Sequence, residues 1–186
     1  MKKLCVIFPG IGYTKDRPLL YYCSKLAKQS GYEVIHTDFG KLPDPEAFGD
    51  PEKRKGLLKL ALNRSKEALS KTDLPSYDKI FFISKSLGTV VAAAFAAEYE
   101  AKIGQIYFTP LDETFLYAKK GIGTVFFGTA DPWTDYRKSL QSSESLDLTC
   151  YLYENANHSL ETGSVSVNLQ ILDEVIHITE ELLSGP

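Results

Sequence analysis

Three side chains of the types that catalyse acyl transfer, Ser86, Asp131 and His158, each follow a short apolar segment of the chain. A serine hydroxyl is a weak nucleophile until a neighbouring base accepts its proton, and histidine suits that task near neutral pH. A carboxylate beside the histidine orients the ring and stabilises its protonated form. Together these residue types can attack an acyl carbonyl, provided that the fold brings them into contact.

The apolar segments before these residues have the composition of buried strands. Several are almost continuously hydrophobic, as strands of a parallel sheet covered on both faces must be. Helical patterns lie between them, and this alternation predicts right-handed crossovers. We therefore predict an α/β fold, a three-layer α/β/α sandwich with a mostly or wholly parallel sheet of about six strands. The predicted strands are residues 4–8, 32–39, 79–84, 103–109, 124–128 and 148–154.

The predicted helices have apolar residues at helical spacing. They are residues 18–30, 51–71, 89–100, 112–121, 136–141 and 165–183. In the second helix, the inward side is predicted to be Leu57, Leu58, Ala61, Ala68 and Leu69. In the last helix, it is predicted to be Leu169, Leu172, Val175, Ile176 and Leu183. The Pro- and Asp-rich residues 41–52 are predicted to form a surface loop.

The carboxyl ends of parallel strands are where ligands bind in such sheets. Around Ser86 the sequence reads Ser-Lys-Ser-Leu-Gly, between a buried strand and an apolar helix. With Asp131 and His158 following in that order, the chain resembles the α/β-hydrolase superfamily, whose nucleophile elbow is Gly-x-Ser-x-Gly. Ser84 replaces the first glycine with another small residue. The resemblance extends from the first strand to the last helix and implies a small, lidless serine hydrolase of esterase type.

The resemblance implies that Ser86 is the nucleophile and that His158 is its general base. His158 follows the last predicted strand, where the family's histidine loop lies. His36 lies in or at the end of the second predicted strand and His177 lies in the last helix, so structural roles are expected for both.

The acid that orients the histidine is predicted to be Asp131, which follows the fifth strand in a turn similar to the family's acid turn. Two alternatives remain open. Asp112 follows the fourth strand, where some family members carry their acid, and Asp135 lies one helical turn beyond Asp131.

The oxyanion of the tetrahedral intermediate needs preorganised N–H donors. The resemblance implies that one donor is the backbone of Leu87, directly after the nucleophile. The second is expected from the loop after the first strand, where Pro9 replaces the family's histidine. Ile11 is the predicted donor, or Gly12 if the register differs by one residue.

The substrate site is expected to be open, because only residues 110–123 separate the fourth and fifth strands and leave room for one short helix. The candidate pocket residues are Gly12, Lys85, Leu111, Phe115, Trp133 and Leu160. Lys85 is interpreted as a solvated cation at the mouth of the site. The basic residues of the second helix are interpreted as a solvated helix face.

Composition and charge narrow the classes of function. The net charge of −3 gives no reason to expect a nucleic-acid partner, and no apolar run approaches the ~20 residues that span a bilayer. Three scattered cysteines are typical of reduced thiols in a cytoplasmic protein, and no Cys/His cluster has metal-ligand spacing. We expect no metal, no cofactor, no membrane partner and a small-molecule ester substrate. The oligomeric state stays open.

The resulting expectation is one domain, residues 1–186, without a lid domain, that cleaves a small ester through an acyl-enzyme on Ser86. A thioesterase or acyltransferase with the same triad is the alternative within enzymes. A non-catalytic binding protein on the same fold is the alternative outside them.

Overall fold

The computed structural model describes residues 1–43, 50–100 and 102–185, so residues 44–49 of the predicted surface loop lie outside the described residues. Across the described ranges, six strands alternate with five α-helices. The strands are β1 (Lys3–Phe8), β2 (Glu33–His36), β3 (Lys79–Lys85), β4 (Gly104–Phe108), β5 (Thr124–Gly128) and β6 (Thr149–Tyr153). The helices are α1 (Pro18–Gln29), α2 (Pro51–Leu69), α3 (Leu87–Ala97), α4 (Tyr136–Ser145) and α5 (Val165–Ser184).

The six strands form one sheet in the order β2-β1-β3-β4-β5-β6, and every neighbouring pair is parallel. The prediction of a mostly or wholly parallel sheet of about six strands is therefore confirmed. At the carboxyl end of β3, Ser84 pairs with Phe8 of β1 and Lys85 pairs with Phe108 of β4. The turn after β3 thus emerges near the middle of the sheet, between two strand ends.

Helices cover both faces of the sheet and complete the predicted three layers. Helices α1 and α5 pack on one face, and α2, α3 and α4 lie on the other. Alternate residues of each strand enter opposite cores, so Phe82 packs under α2 and α3 while Ile83 packs under α1 and α5. Burying an apolar side chain of this size contributes about 1.5–3 kcal/mol to the free energy of unfolding.

Ala68 of α2 and Leu169 of α5 were predicted to face inward but are exposed. In each helix a polar residue completes the buried row of side chains in their place. In α2 the buried positions recur every four residues, at Leu57, Ala61, Ser65 and Leu69, and this spacing leaves Ala68 exposed. The Ser65 hydroxyl donates to the Ala61 carbonyl at 2.9 Å, so its burial leaves no polar atom unpaired.

The same arrangement occurs in α5. Its buried stripe is Ile171, Val175, Thr179 and Leu183, and the Thr179 hydroxyl donates to the Val175 carbonyl at 2.8 Å. Leu169 lies two residues before Ile171, which places it on a different side of a helix with ~3.6 residues per turn. The prediction that Leu169 faces inward is wrong, since the residue is 61% exposed.

The segment between β4 and β5 contains only a 3₁₀ helix, Asp112–Leu116, where a helix over residues 112–121 was expected. Leu116 and Tyr117 are exposed, so the segment has no continuous apolar face that would extend the helix. The chain then returns to the sheet through Gly121, whose φ of 71° is accessible to glycine without strain.

Helix α3 starts in direct contact with the end of β1, and Gly88 makes this contact possible. A Cβ at this position would lie 2.3 Å from the Pro9 carbonyl oxygen and 2.5 Å from that of Phe8. Both atoms belong to the backbone, so a side chain here forces the elbow and the strand apart.

We expect Gly88→Ala to lower the free energy of unfolding by at least the ~1–3 kcal/mol typical of overpacking. Thermal and urea unfolding followed by circular dichroism measures the change. The matched control is Gly56→Ala in α2, where an added Cβ meets nothing within 4 Å and where alanine should stabilise the helix by about 0.5–1 kcal/mol. Equal effects of the two substitutions would contradict the close contact.

Candidate active site

Ser86 lies in the sharp turn that joins β3 to α3. Its φ of 55° and ψ of −123° form a strained backbone conformation for a residue with a side chain. Such strain costs of the order of 1–3 kcal/mol and persists only where the surroundings hold it. Here the Ser86 N–H donates to the Phe108 carbonyl at 3.1 Å, and the Thr89 hydroxyl donates to the Ser86 carbonyl at 2.6 Å.

The structure brings Ser86, His158 and Asp131 together in one hydrogen-bonded chain. His158 Nε2 lies 2.8 Å from the Ser86 hydroxyl oxygen, and His158 Nδ1 lies 2.7 Å from Asp131 Oδ2. The Asp131 side chain is 2% exposed and the His158 side chain is 19% exposed. The carboxylate is thus shielded from water, while the imidazole remains accessible beside the serine.

The loops that carry Asp131 and His158 are bonded to each other through their backbones. The Ala130 N–H donates to the Ala156 carbonyl at 2.9 Å, and the Thr129 N–H donates to the Tyr153 carbonyl at 3.0 Å. Gly128 permits this approach, since a Cβ there would lie 2.2 Å from the Ala156 carbonyl oxygen. The distance between carboxylate and imidazole is therefore fixed by the two backbones.

Local turns fix the orientation of each side chain. Asp131 Oδ1 accepts a hydrogen bond from the Trp133 N–H at 2.9 Å, which leaves Oδ2 directed at the histidine. Asn157 Oδ1 accepts hydrogen bonds from the Ser159 N–H at 2.7 Å and the Glu161 N–H at 3.2 Å, which closes the turn around His158. Aspartate and asparagine are suited to such turns, because their side chains bond to backbone N–H groups two residues ahead.

The environment of His158 favours its neutral form. Burial lowers the pKa of the imidazole, the hydrogen bond that the ring donates to Asp131 raises it, and the positive charge of Lys85 lowers it, with the net direction downward. A neutral imidazole is the form that can accept a proton.

The alternative acids and histidines lie elsewhere. Asp112 accepts a hydrogen bond from Ser139 at 3.2 Å and pairs with Lys138 at 3.3 Å, and Asp135 caps α4 through the Arg137 N–H at 3.0 Å. These contacts hold both carboxylates against α4.

The two other histidines have separate surroundings. His36 Nε2 lies 2.9 Å from the Ser24 hydroxyl oxygen, next to α1. His177 is exposed on α5, beside Asp173 and Glu180. Neither ring is in the hydrogen-bonded chain that contains Ser86.

The chain is similar in structure to known serine hydrolases of low sequence identity. It is similar over 99% of its length to a serine hydrolase without a lid from Xanthomonas campestris, with a TM-score of 0.67, 16% identity and 83% of that chain covered. It is similar over 98% of its length to a serine hydrolase homologue from Coxiella burnetii, with a TM-score of 0.69, 14% identity and 85% of that chain covered.

Est1E from Butyrivibrio proteoclasticus aligns over 98% of this chain and 87% of its own, with a TM-score of 0.68 and 12% identity. Neither a protein-family model nor a curated protein sequence matches the chain. The chain has the α/β-hydrolase fold. At these identities the likeness establishes the architecture, and the chemistry must be argued from the site.

Leu87 and Ile11, the residues predicted to supply the oxyanion donors, lie in segments that adjoin Ser86. Leu87 is the first residue of α3, so its N–H has no intrahelical acceptor and lies at the positive end of the helix dipole. Ile11 lies in the turn closed by the Gly10 N–H and the Tyr13 carbonyl at 3.0 Å. A Cβ on Gly10 would lie 3.1 Å from the Ser86 Cβ, so the loop carrying Ile11 runs directly beside Ser86.

Two of the predicted pocket walls belong to the core instead. Leu111 is fully buried against the α2–α3 core and Leu160 is 2% exposed in the α1–α5 core. Phe115 is half-buried and packs on the core beneath α4. Trp133 does border the site: it is 50% exposed, and its ring lies 6.4 Å from the His158 ring in an edge-on arrangement.

A cleft lies between the loops that follow β1 and β2. It has a volume of about 840 Å³ and is lined by residues 9–12, 14–16 and 36–43. Ile11 and Gly12 form part of its wall, so the cleft adjoins the predicted oxyanion loop. We name it the β1–β2 cleft.

Lys85 is not a solvated cation at the mouth of the site. It is fully buried, its Nζ donates to the Thr109 hydroxyl at 2.6 Å, and Nζ lies 5.0 Å from the centre of the Tyr13 ring. The period of a strand explains this position, since Lys85 follows Phe81 and Ile83 on the face under α1 and α5.

Thr109 and Tyr13 were not predicted as site residues. Thr109 directly follows β4 and Tyr13 lies in the loop after β1, so both follow strands at the carboxyl edge, which is the signal that could have found them. In the part of the chain that the structure describes, no group of His, Cys, Asp or Glu could hold a metal ion. No helix of that part is long and apolar enough to cross a bilayer.

We expect His158 to titrate below the value of ~6.5 usual for histidine, and to titrate lower still in Asp131→Asn, because the carboxylate is the neighbour that raises its pKa. NMR of the imidazole nitrogens as a function of pH measures this. The resonances of His36 and His177 serve as internal references. A higher or unchanged pKa of His158 in the variant would show that Asp131 does not act on the ring.

Proposed function

We propose that the protein is a serine hydrolase that cleaves a small ester-type substrate through an acyl-enzyme on Ser86. The observation that carries this proposal is the continuous hydrogen-bonded chain from the Ser86 hydroxyl through His158 to the shielded Asp131 carboxylate. The strained turn at Ser86 supports it, because stored strain of this kind clusters at functional sites.

In the proposed reaction, the Ser86 oxygen attacks the ester carbonyl while its proton passes to His158 Nε2. Asp131 stabilises the imidazolium that forms. Collapse of the tetrahedral intermediate expels the alcohol, which takes the proton from Nε2 as it leaves. A water molecule then attacks the acyl-enzyme with His158 as base, and the carboxylic acid is released as Ser86 regains its proton.

The negative charge of each tetrahedral intermediate needs donors that are already in place. We assign these to the backbone N–H groups of Leu87 and Ile11. The Leu87 N–H is supported by its position at the start of α3, where the helix dipole favours an anion. Removing one donor of this kind typically costs a factor of ~10²–10³ in rate.

The proposed substrate is small because the segment between β4 and β5 leaves room for one short helix and for no lid domain. That segment contains the 3₁₀ helix Asp112–Leu116, and the His158 side chain is 19% exposed. The β1–β2 cleft adjoins the loop that carries Ile11, and the exposed Trp133 ring lies beside His158.

The proteins of similar structure fit this chemistry, since they include serine hydrolases and a dienelactone hydrolase. The cysteines Cys5, Cys23 and Cys150 are all free, which favours a reducing compartment and makes the cytoplasm part of the proposal.

Purified protein is expected to react with a fluorophosphonate probe at Ser86, because the proposed base activates that hydroxyl. Intact mass and peptide mass spectrometry locate the adduct. Ser86→Ala and His158→Ala should abolish labelling without unfolding the protein. His177→Ala is the matched control and should label as the wild type does, since His177 lies exposed on α5.

The labelling experiment distinguishes a hydrolase from a non-catalytic binding protein. Absence of an adduct on folded wild-type protein, shown by its melting transition, would overturn the hydrolase proposal and favour a binding protein on this fold. If Ser86 carries the adduct, the turnover of oxygen esters and thioesters of increasing acyl-chain length shows which class of bond the protein cleaves. Faster turnover of thioesters would replace the ester with a thioester as substrate.

The acid is tested by a pair of isosteric substitutions. Asp131→Asn should lower kcat by about 10³–10⁴-fold, because the amide no longer stabilises the imidazolium. Asp112→Asn should leave kcat within about 3-fold of the wild type, since Asp112 is engaged with Ser139 and Lys138. Steady-state hydrolysis of a short-chain nitrophenyl ester measures both. A large loss in Asp112→Asn alone would transfer the acid's role to that residue.

A further inference from the structure

Lys85 is a buried cation directly before the proposed nucleophile that the proposed mechanism does not use. The residue is fully buried, and Lys85, Ile83 and Phe81 project to the same face of β3. Lysine is among the residues least often buried, because removing an ammonium group from water is costly. A role in the neighbouring site would account for the cost of burying this ammonium group.

The Lys85 ammonium group is connected to the backbone of His158 through one side chain. Its Nζ lies 2.6 Å from the Thr109 hydroxyl oxygen, and that oxygen lies 3.0 Å from the His158 carbonyl oxygen. A carbonyl only accepts, so the single hydroxyl proton of Thr109 is donated to His158. The hydroxyl must then accept from Lys85, which fixes the direction of both bonds.

We propose that Lys85 is a positioning residue for the proposed base: through the Thr109 hydroxyl it anchors the backbone of the segment that carries the His158 imidazole. This inference rests on the proposed function, since it assigns a role within the same site. Lys85 belongs to β3 and adjoins Ser86, so the anchor ties the base to the strand that carries the nucleophile.

The conformation of Thr109 supports this role. Its φ is 42°, which is rare for a β-branched residue. The residue is 1% exposed, and its N–H donates to the Phe126 carbonyl at 2.8 Å. The surroundings therefore hold Thr109 in a strained conformation that places its hydroxyl between Lys85 and His158.

The charge of Lys85 gives the proposal a readout that simple packing does not have. The titratable groups near its ammonium are Asp131, His158 and Tyr13, whose ring it faces. Glu161, Cys23 and Arg17 lie near Tyr13 in turn. Burial lowers the pKa of Lys85 to about 7, against the opposite effect of Asp131. When protonated, Lys85 lowers the pKa of His158, so removing it should raise that pKa.

The test uses Lys85→Met, which keeps the length of the side chain and removes both its charge and its donor. We expect kcat for a short-chain ester to fall about 10–100-fold with KM within about 3-fold, because the base is displaced while the binding surface is kept. The acid limb of the kcat/KM profile should move to higher pH. Lys79→Met is the matched control, since it removes one positive charge from the opposite end of β3.

Thr109 supplies the second arm of the experiment. Thr109→Val keeps the β-branched shape and removes the hydroxyl, so it should lower kcat to a similar extent, whereas Thr109→Ser keeps the hydroxyl and should restore most of the rate. If Lys85 acts through Thr109, the double variant Lys85→Met/Thr109→Val should be no slower than the slower single variant. Independent, multiplicative losses would overturn the anchor.

NMR of the His158 imidazole separates a failure of this proposal from a failure of the proposed function. If the wild type carries no fluorophosphonate adduct, hydrolysis is overturned, and the His158 titration still tests the anchor without turnover. A higher pKa of His158 in Lys85→Met, with His36 and His177 unchanged, supports the proposal. A kcat within 2-fold of the wild type or an unchanged His158 titration in a folded Lys85→Met variant overturns it.

Discussion

The contact between the start of α3 and the end of β1 is the constraint on which the rest of the site depends. The sharp turn at Ser86 directs α3 back across the sheet, and the helix can follow that path only because Gly88 has no side chain to meet the Pro9 and Phe8 carbonyls. The same contact brings the loop after β1 beside Ser86, through Gly10. One close approach of two backbones therefore sets the positions of the serine, the Leu87 N–H and the loop carrying Ile11.

A parallel sheet makes such convergence possible. Every strand ends at the same edge, so the polar residues that follow β3, β5 and β6 meet there once the strand order is fixed. The loops after β5 and β6 are bonded to each other through their backbones. The Thr109 hydroxyl then joins the segment of His158 to Lys85 of β3, so backbone and side-chain hydrogen bonds together hold His158 beside Ser86.

Much of this could be predicted from the sequence because it depends on pattern and order. The apolar runs indicated the six strands, and the positions of Ser86, Asp131 and His158 directly after three of them indicated the meeting point. Pattern was less informative where a polar residue is buried with its hydrogen bonds satisfied. Ser65 and Thr179 complete buried helical stripes, so Ala68 and Leu169 were assigned to the wrong side.

Lys85 shows the limit of such reasoning most clearly. The two-residue alternation of β3 is sufficient to place the Lys85 side chain on the same face as Ile83. A lysine at the end of a strand is nevertheless ordinarily solvated. Its burial depends on Thr109 and Tyr13, which approach from loops after two other strands and supply a hydroxyl acceptor and an aromatic face. The spacing of residues in the sequence does not predict that Thr109 and Tyr13 enclose the Lys85 ammonium group. A buried ammonium group is costly unless it is well paired, and replacing such a group with an apolar side chain often stabilises a protein. Lys85 is joined to the segment of the proposed base by two hydrogen bonds through Thr109, so its burial is better explained by the proposed site than by the fold.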